Sequence, residues 1–410
     1  MIPVTVSASR HYVDRGWPAI CARVQVAGER YDLSYRATRG PLTTSADPFL
    51  AAALLPAMVL GAPLHIAGSV SPRILQSVSQ VQEIMSTWYK ELHTIPIVAL
   101  PGPPAEAQAG DIACFYSGGV DSSYSILKNQ AELSHLIFVH GFDIRLSDTH
   151  FRQKVAAALQ EAAGEWHKPL IEVETNVRDL LDVYTDWDSH AHGAAMASVA
   201  LALSPQFSRV YFGSTFAYDS LMPLGLHPLL DPLWSTEHME IVHDGCEASR
   251  WQKLEHIMGS PTVRRHLRSC WQHPDGAYNC GHCRGCLRIL AFLLMMGLEG
   301  QCATFNYGLD LNELAHMPLV GPRASIITED LLRFGESRNA EPAVLAALRA
   351  ALARWQVTGP DGVVQELADK RRRVARLQTR LNKMTLSRSW RSTARLRDAT
   401  AALRRLKRPQ

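Results

Sequence analysis

The stretch "CFYSGGVDSSYS" at residues 114–125 places serines, two glycines and an aspartate directly behind a short apolar run. A strand that ends in a glycine-bearing loop and enters a helix aims several backbone N–H groups at one point, together with the positive end of the helix dipole. Gly118 and Gly119 allow the positive φ and the close backbone approach that a phosphate group demands. Ser117, Ser122 and Ser123 would add hydroxyl donors, and Asp121 is placed to cap the helix or to hold a magnesium ion (Mg2+) between phosphates. The loop lacks the Gly-Lys-Ser/Thr ending of the Walker type. Its rival reading is an ordinary glycine turn before a capped helix.

A second cluster lies downstream. Cys270, Cys280, Cys283 and Cys286 are separated by nine, two and two residues. Two overlapping C-x-x-C steps gather three thiolates, and a fourth arrives across a loop, which suits a closed structural zinc (Zn2+) site. An iron–sulfur cluster is the rival, since four thiolates also hold one. Four of the eight cysteines crowd into residues 270–286, which points to metal rather than disulfides. Of the others, Cys246 and Cys302 are candidates for sulfur chemistry, with burial in the core as the alternative.

Less patterned residues also invite a role. His190 and His192 flank a helix start, where histidines also serve as caps or core residues. His227, Asp231 and Glu237 in "LHPLLDPLWSTE" could share a pocket, the alternative for Glu237 being a solvated loop charge. Arg250 and Lys253 lie on "EASRWQKLEHIM", read as a solvated helix face with phosphate contact as the alternative.

The elements that would position these groups divide the chain. Residues 1–100 read as a small mixed α/β domain: "ICARVQVAGERYDLSYRA" is two strands around a tight turn, and Ser71 followed by Pro72 opens a helix. Residues 101–110, "PGPPAEAQAG", have linker composition. From residue 111 to about 300, short apolar strands ("DIACFY", "LSHLIFVHGF", "PLIEVET", "SRVYFGS") alternate with helical patterns. That rhythm predicts an α/β fold: a parallel sheet with helices on both faces and ligands at the carboxyl ends of its strands. A helical extension follows over 301–365. The tail over 366–410 is basic, with fifteen Lys or Arg against two Asp from 369 to 408, leaving +13 there and −10 on the rest of the +3 chain. It predicts helices attracted to an acidic partner or to nucleic acid. The apolar run at 49–68 is interrupted by Pro56, Gly61, Pro63 and His65 and reads as a buried helix and a strand rather than a membrane span. No charged leader into an apolar run opens the sequence, so the expected location is cytoplasmic.

"SGGVDS" at 117–122 resembles the signature of the PP-loop ATP pyrophosphatases. Loop and cysteines in this order resemble the 7-cyano-7-deazaguanine synthase family of queuosine precursor synthesis, over roughly residues 111–300. The resemblance implies a HUP-like fold that splits ATP into AMP and pyrophosphate to activate a carbonyl oxygen. ATP and Mg2+ would be held by Ser117, Gly118, Gly119, Val120, Asp121 and Ser122, with Asp143, Gly213 and Ser214; Ser117, Asp121 and Ser122 would be catalytic. His190, His192, Asp219 and His227 would face the acceptor, and the cysteines would hold structural Zn2+. Two segments depart from the family: "SHAHGAAM" stands in place of an Arg-Asn pair, and "LGLHPLLDP" in place of Pro-Asp-Cys-Arg. The nucleotide half is kept and the acceptor half rewritten.

The expected activity is therefore adenylation of a carboxylate or amide on a small-molecule acceptor, followed by attack of ammonia or an amine. A PP-loop sulfur transferase acting on tRNA, with the basic tail on RNA, is one alternative, and a non-catalytic nucleotide-binding scaffold is another. A homodimer remains an open assembly.

Overall fold

The computed structural model of the chain describes residues 2–103, 110–270, 272 and 276–355. Eleven strands form one sheet: β1 (Val4–Val6), β2 (Arg10–Asp14), β3 (Trp17–Val26), β4 (Glu29–Ala37), β5 (Leu64–Val70), β6 (Ile97–Pro101), β7 (Asp111–Phe115), β8 (His135–His140), β9 (Leu170–Thr175), β10 (Phe207–Gly213) and β11 (Glu240–Asp244). Their order is β11-β10-β7-β8-β9-β4-β3-β1-β5-β6, with β2 added beside β3. The helices that matter below are α1 (Asp47–Leu60), α2 (Pro72–Trp88), α3 (Val120–Lys128), α4 (Thr149–Glu165), α5 (Arg178–Tyr184), α6 (His192–Ala202), α7 (Arg250–Ile257), α8 (Pro261–His266), α9 (Arg284–Met295), α10 (Leu311–Ala315) and α11 (Pro322–Ser337).

The five strands from β7 to β11 pair in parallel throughout. The chain begins at β7, steps outward through β8 and β9, then returns to the other side of β7 for β10 and β11. The order therefore reverses between β7 and β10, and open α/β sheets bind ligands in the crevice beyond the strand ends at such a point. Along β7 the side chains alternate: Ala113 and Phe115 enter one core with α1, α5 and α6, while Cys114 and Tyr116 enter the other with α3, α4, α7, α9 and α11. Helices thus cover both faces, as the alternating pattern predicts.

The sheet as a whole is mixed rather than parallel, which sharpens that expectation. The β3–β4 hairpin turns at Ala27 and Gly28, at φ 51° and 86°, the paired positive values that match strand twist. The hairpin delivers β4 antiparallel to β9, with Tyr35 opposite Thr175 and Ala37 opposite Val173. One continuous sheet therefore crosses the linker stretch at 101–110, of which residues 104–109 lie outside the described residues. The apolar run at 49–68 forms α1 and β5. α1 is buried from Asp47 through Met58, as a helix apolar on every side must be. α2 begins where Ser71 and Pro72 indicated, with the Ser71 hydroxyl accepting from Ile74 N at 3.2 Å. Among the described residues, no helix is long and apolar enough to cross a membrane. The basic tail lies outside the described residues.

Candidate functional site

β7 ends at Phe115, and the chain turns through Ser117, Gly118 and Gly119 into α3. Gly118 has φ +76°, and a Cβ there would come within 3.0 Å of Leu159 and 3.2 Å of Arg268. At the end of β10, Gly213 lies directly against the first turn of α3: a Cβ would stand 2.9 Å from the Asp121 carbonyl carbon and oxygen. Backbone thus meets backbone at the switch point, which only glycine permits. Ser122 closes the loop, its hydroxyl accepting from Ser117 N at 3.4 Å and donating to Gly119 O at 3.3 Å. Val120 is buried beneath it.

Asp121 does not cap α3; the N-cap is Gly119, with no side-chain capping bond. The carboxylate is drawn sideways instead, because cations and a hydroxyl outside the helix outbid its own backbone. Its Oδ2 accepts from Thr215 Oγ1 at 3.1 Å and pairs with Arg250. Its Oδ1 is buried without a hydrogen-bond partner among the described residues. An unsatisfied buried carboxylate oxygen is a group that could take a cation.

Arg268 ties the loop to its surroundings. Its backbone N–H donates to Gly118 O at 2.8 Å, and its guanidinium donates to Ser117 O, Cys270 O and Asp143 Oδ2 at 3.2, 3.1 and 3.1 Å. Asp143, in the loop after β8, therefore joins the cradle through Arg268. Sequence reading passed over Arg268, although its place two residues before the first clustered cysteine was the available signal.

Lys253 is wholly buried and donates from Nζ to Ser214 O at 2.7 Å, so the solvated-face reading of α7 is wrong for it. α7 lies between α3 and α9–α11, and Trp251, Leu254 and Ile257 bury the rest of it. Burial holds the Lys253 ammonium below its ordinary range. Arg288 is also buried, donating to Ala324 O at 2.7 Å and Thr328 Oγ1 at 2.8 Å. Burial and then the like charges of Arg284, Arg250 and Arg323 lower its pKa.

The four cysteines are all buried, and their Sγ atoms lie within 4.8 Å of one another. Cys280 and Cys286 approach to 3.9 Å, and Cys283 and Cys270 to 3.8 Å. As bare thiols they oppose one another's ionisation: Cys270 above all pushes Cys283 up to about 12 and Cys286 higher still. A central cation reverses that penalty. The cluster could hold a metal ion.

A pocket lies beyond β10 and β11, with His192, Ser214, Thr215, His227, His243 and Arg323 among its lining. Thr215 belongs to this wall and also touches Asp121, so pocket and loop are neighbours. Of the predicted acceptor residues, His192 and His227 line the pocket. His190 does not: it is buried edge-on against Tyr89 at 4.3 Å, its Nδ1 accepting from Asp186 N. Asp219 is exposed on the turn beyond β10. Ser214 is buried, its hydroxyl turned to Phe216 O at 2.8 Å. Glu237 is no loose charge; it caps α2, accepting from Ser71 Oγ and Arg73 N, each at 2.7 Å. Arg323 and His243 were not singled out in sequence; nothing local marks them.

Cys302 is fully buried, and burial raises its thiol. Burial also pushes Cys246 up, but bonding to His243 and Ser214 and the charge on Lys253 outweigh it and lower the thiol. Cys246 is 2% exposed. Comparison of the chain with protein-family models, curated proteins and solved structures finds no significant match.

Proposed function

We propose that the chain is an ATP-dependent adenylating enzyme of the PP-loop type, releasing AMP and pyrophosphate while activating a carboxylate or amide of a small acceptor for attack by ammonia or an amine. The observation that carries this reading is the side-chain-free contact of Gly213 with the first turn of α3, beside Gly118 and Gly119, at the switch point of the parallel strands. The loop N–H groups and the α3 N-terminus orient the triphosphate. Arg250 and Arg268 stand beside it as fixed positive charge, favouring the charge that develops in transfer. Asp121 would hold Mg2+, which when bound neutralises phosphate charge. Thr215 connects this end to the pocket, so an acceptor oxygen seated there lies next to the nucleotide.

The cysteine site is assigned Zn2+ in this reading. A tetrahedron with Zn–S near 2.3 Å separates its sulfurs by about 3.8 Å, which agrees with the 3.8 and 3.9 Å contacts. All four positions are taken by thiolates, so the metal is structural, and Arg268 passes its rigidity to the loop through Cys270 O. Four reduced thiols belong with a cytoplasmic location. Sulfur transfer has less support, because neither Cys246 nor Cys302 is accessible.

The test is nucleotide product analysis with ATP, Mg2+, ammonium and a metabolite extract, comparing the intact chain with Ser117→Ala and Asp121→Ala. AMP and pyrophosphate that appear only with the intact loop uphold the reading. ADP and phosphate, or products unchanged by both substitutions, overturn it.

A further inference from the structure

α2 belongs to the first hundred residues, yet it runs along the chain between β10 and β11, and the contacts pair in antiparallel order from end to end. At its start Glu237 accepts from Ser71 Oγ and Arg73 N, and Arg73 Nη1 donates to Thr236 O at 3.0 Å. Ser77 Oγ donates to Leu233 O at 2.5 Å. Trp88 packs edge-on against His227 with ring centres 4.8 Å apart, and the Tyr89 hydroxyl donates to Pro223 O at 2.8 Å. Arg73, Ser77 and Trp88 share one stripe of the helix, beside the buried stripe of Ile74, Val78, Val81 and Met85 that anchors α2 in the core. One amphipathic helix thus holds both the core and the loop.

Tyr89 also reaches the opposite wall of the pocket. Its ring meets His190 on the turn Trp187–Ala191. Backbone joins that turn to residues 223–227: Gly225 N donates to Asp188 O at 3.2 Å, and a Cβ on Gly225 would collide with the His190 carbonyl. Asp188 on one wall and Leu224, Leu226 and His227 on the other line the pocket. Asp231, buried at the start of the 3-10 turn Asp231–Trp234, fixes the inner end by pairing with His243 Nδ1 at 2.6 Å. Burial, in which Trp88 takes part, and then the charge of His243 pull the His227 pKa down to about 4. Between walls held in this way the cavity is about 20 Å³, room for little more than one water. Any acceptor larger than that must push the wall back. Trp88 touches His227 without lining the pocket, so it stands behind that wall.

We propose that Trp88 and Tyr89 are specificity-determining residues that act through this wall: α2 braces it closed, and the pocket admits only an acceptor whose binding pushes His227 and its neighbours back against the brace. The inference rests on the adenylating reading for what enters, and on the contacts alone for the brace. The free energy of moving the wall is subtracted from the acceptor's affinity, so a weaker brace gives tighter apparent binding. Simple damage to the site does the reverse and weakens it.

The test compares the full chain with Trp88→Leu and Tyr89→Phe on two readouts. In the nucleotide assay with ATP, Mg2+ and ammonium, a dilution series of the metabolite extract gives the amount needed for half-maximal AMP release. Both variants should lower that amount, Tyr89→Phe by about three- to tenfold, the effect of one neutral hydrogen bond, with the KM for ATP unchanged. An unchanged or raised amount overturns the proposal. Hydrogen exchange, which needs no acceptor, should quicken in residues 223–231 and stay as it was in 117–122. Exchange that quickens everywhere in Tyr89→Phe, the milder change, or nowhere, also overturns it. If the intact chain releases no AMP, the adenylating reading fails and the exchange readout decides the brace by itself.

Discussion

The loop at 117–122 and the pocket lined by Thr215 meet where Thr215 touches Asp121, yet they are built in opposite ways. The loop is backbone chemistry, drawn from consecutive residues 117–122 and one glycine across the sheet, and it needs the absence of side chains. The pocket is side-chain chemistry, gathered from Asp188 to Arg323 off loops, the end of β11 and the first turn of α11. A site made of backbone must be contiguous, because only neighbours in sequence can aim their N–H groups together. A site made of side chains is free to be scattered, and its charge states are set by partners that meet only after folding.

That contrast can be broken most forcefully at the cysteines. Cys286→Ser should cost on the order of 4 kcal/mol or more, the range reached when a structural metal is lost. It would be read as a lowered Tm together with metal content, and should remove ATP binding through Arg268. An intact Tm would separate the cluster from the loop. A narrower strike is Gly213→Ala, whose Cβ must displace the Asp121 backbone. Overpacking of this kind costs about 1–3 kcal/mol. Nucleotide binding should weaken with a loss of Tm no larger than that cost implies, and unchanged binding would show that Gly213 does not shape the loop. The smallest effect concerns His227. Its folded pKa near 4 lies below the unfolded value, so the unfolded chain takes the proton first and stability falls as pH drops from about 6.5 toward 4. His227→Gln should flatten that part of a urea-midpoint profile, and an unchanged slope would place the acid-sensitive group elsewhere.

The same contrast governs what could be read from sequence. The hairpin at Ala27–Gly28, the start of α2 at Ser71, the split of residues 49–68 into α1 and β5, and the strand before the loop all declare themselves locally, through turn chemistry, capping or apolar length. β11 did not, because "EIVHD" is short and carries charge at both ends. The antiparallel β4–β9 pairing was hidden because it joins strands more than 130 residues apart. Asp121 was misread as a cap because Thr215 and Arg250 arrive from elsewhere in the chain, and Lys253 as solvated because nothing on its own helix reports what covers it. His243 and Asp231 lie only twelve residues apart, yet no spacing rule links a 3-10 turn to a strand end.

The β4–β9 seam has a consequence for how the chain holds together. β9 would be the outer strand of the parallel half were it not for β4, and it carries Ile171 and Val173 on a buried face. An open strand edge is a template for pairing with other chains. The hairpin therefore acts as a guard rail, covering the edge that the parallel strands would otherwise leave open.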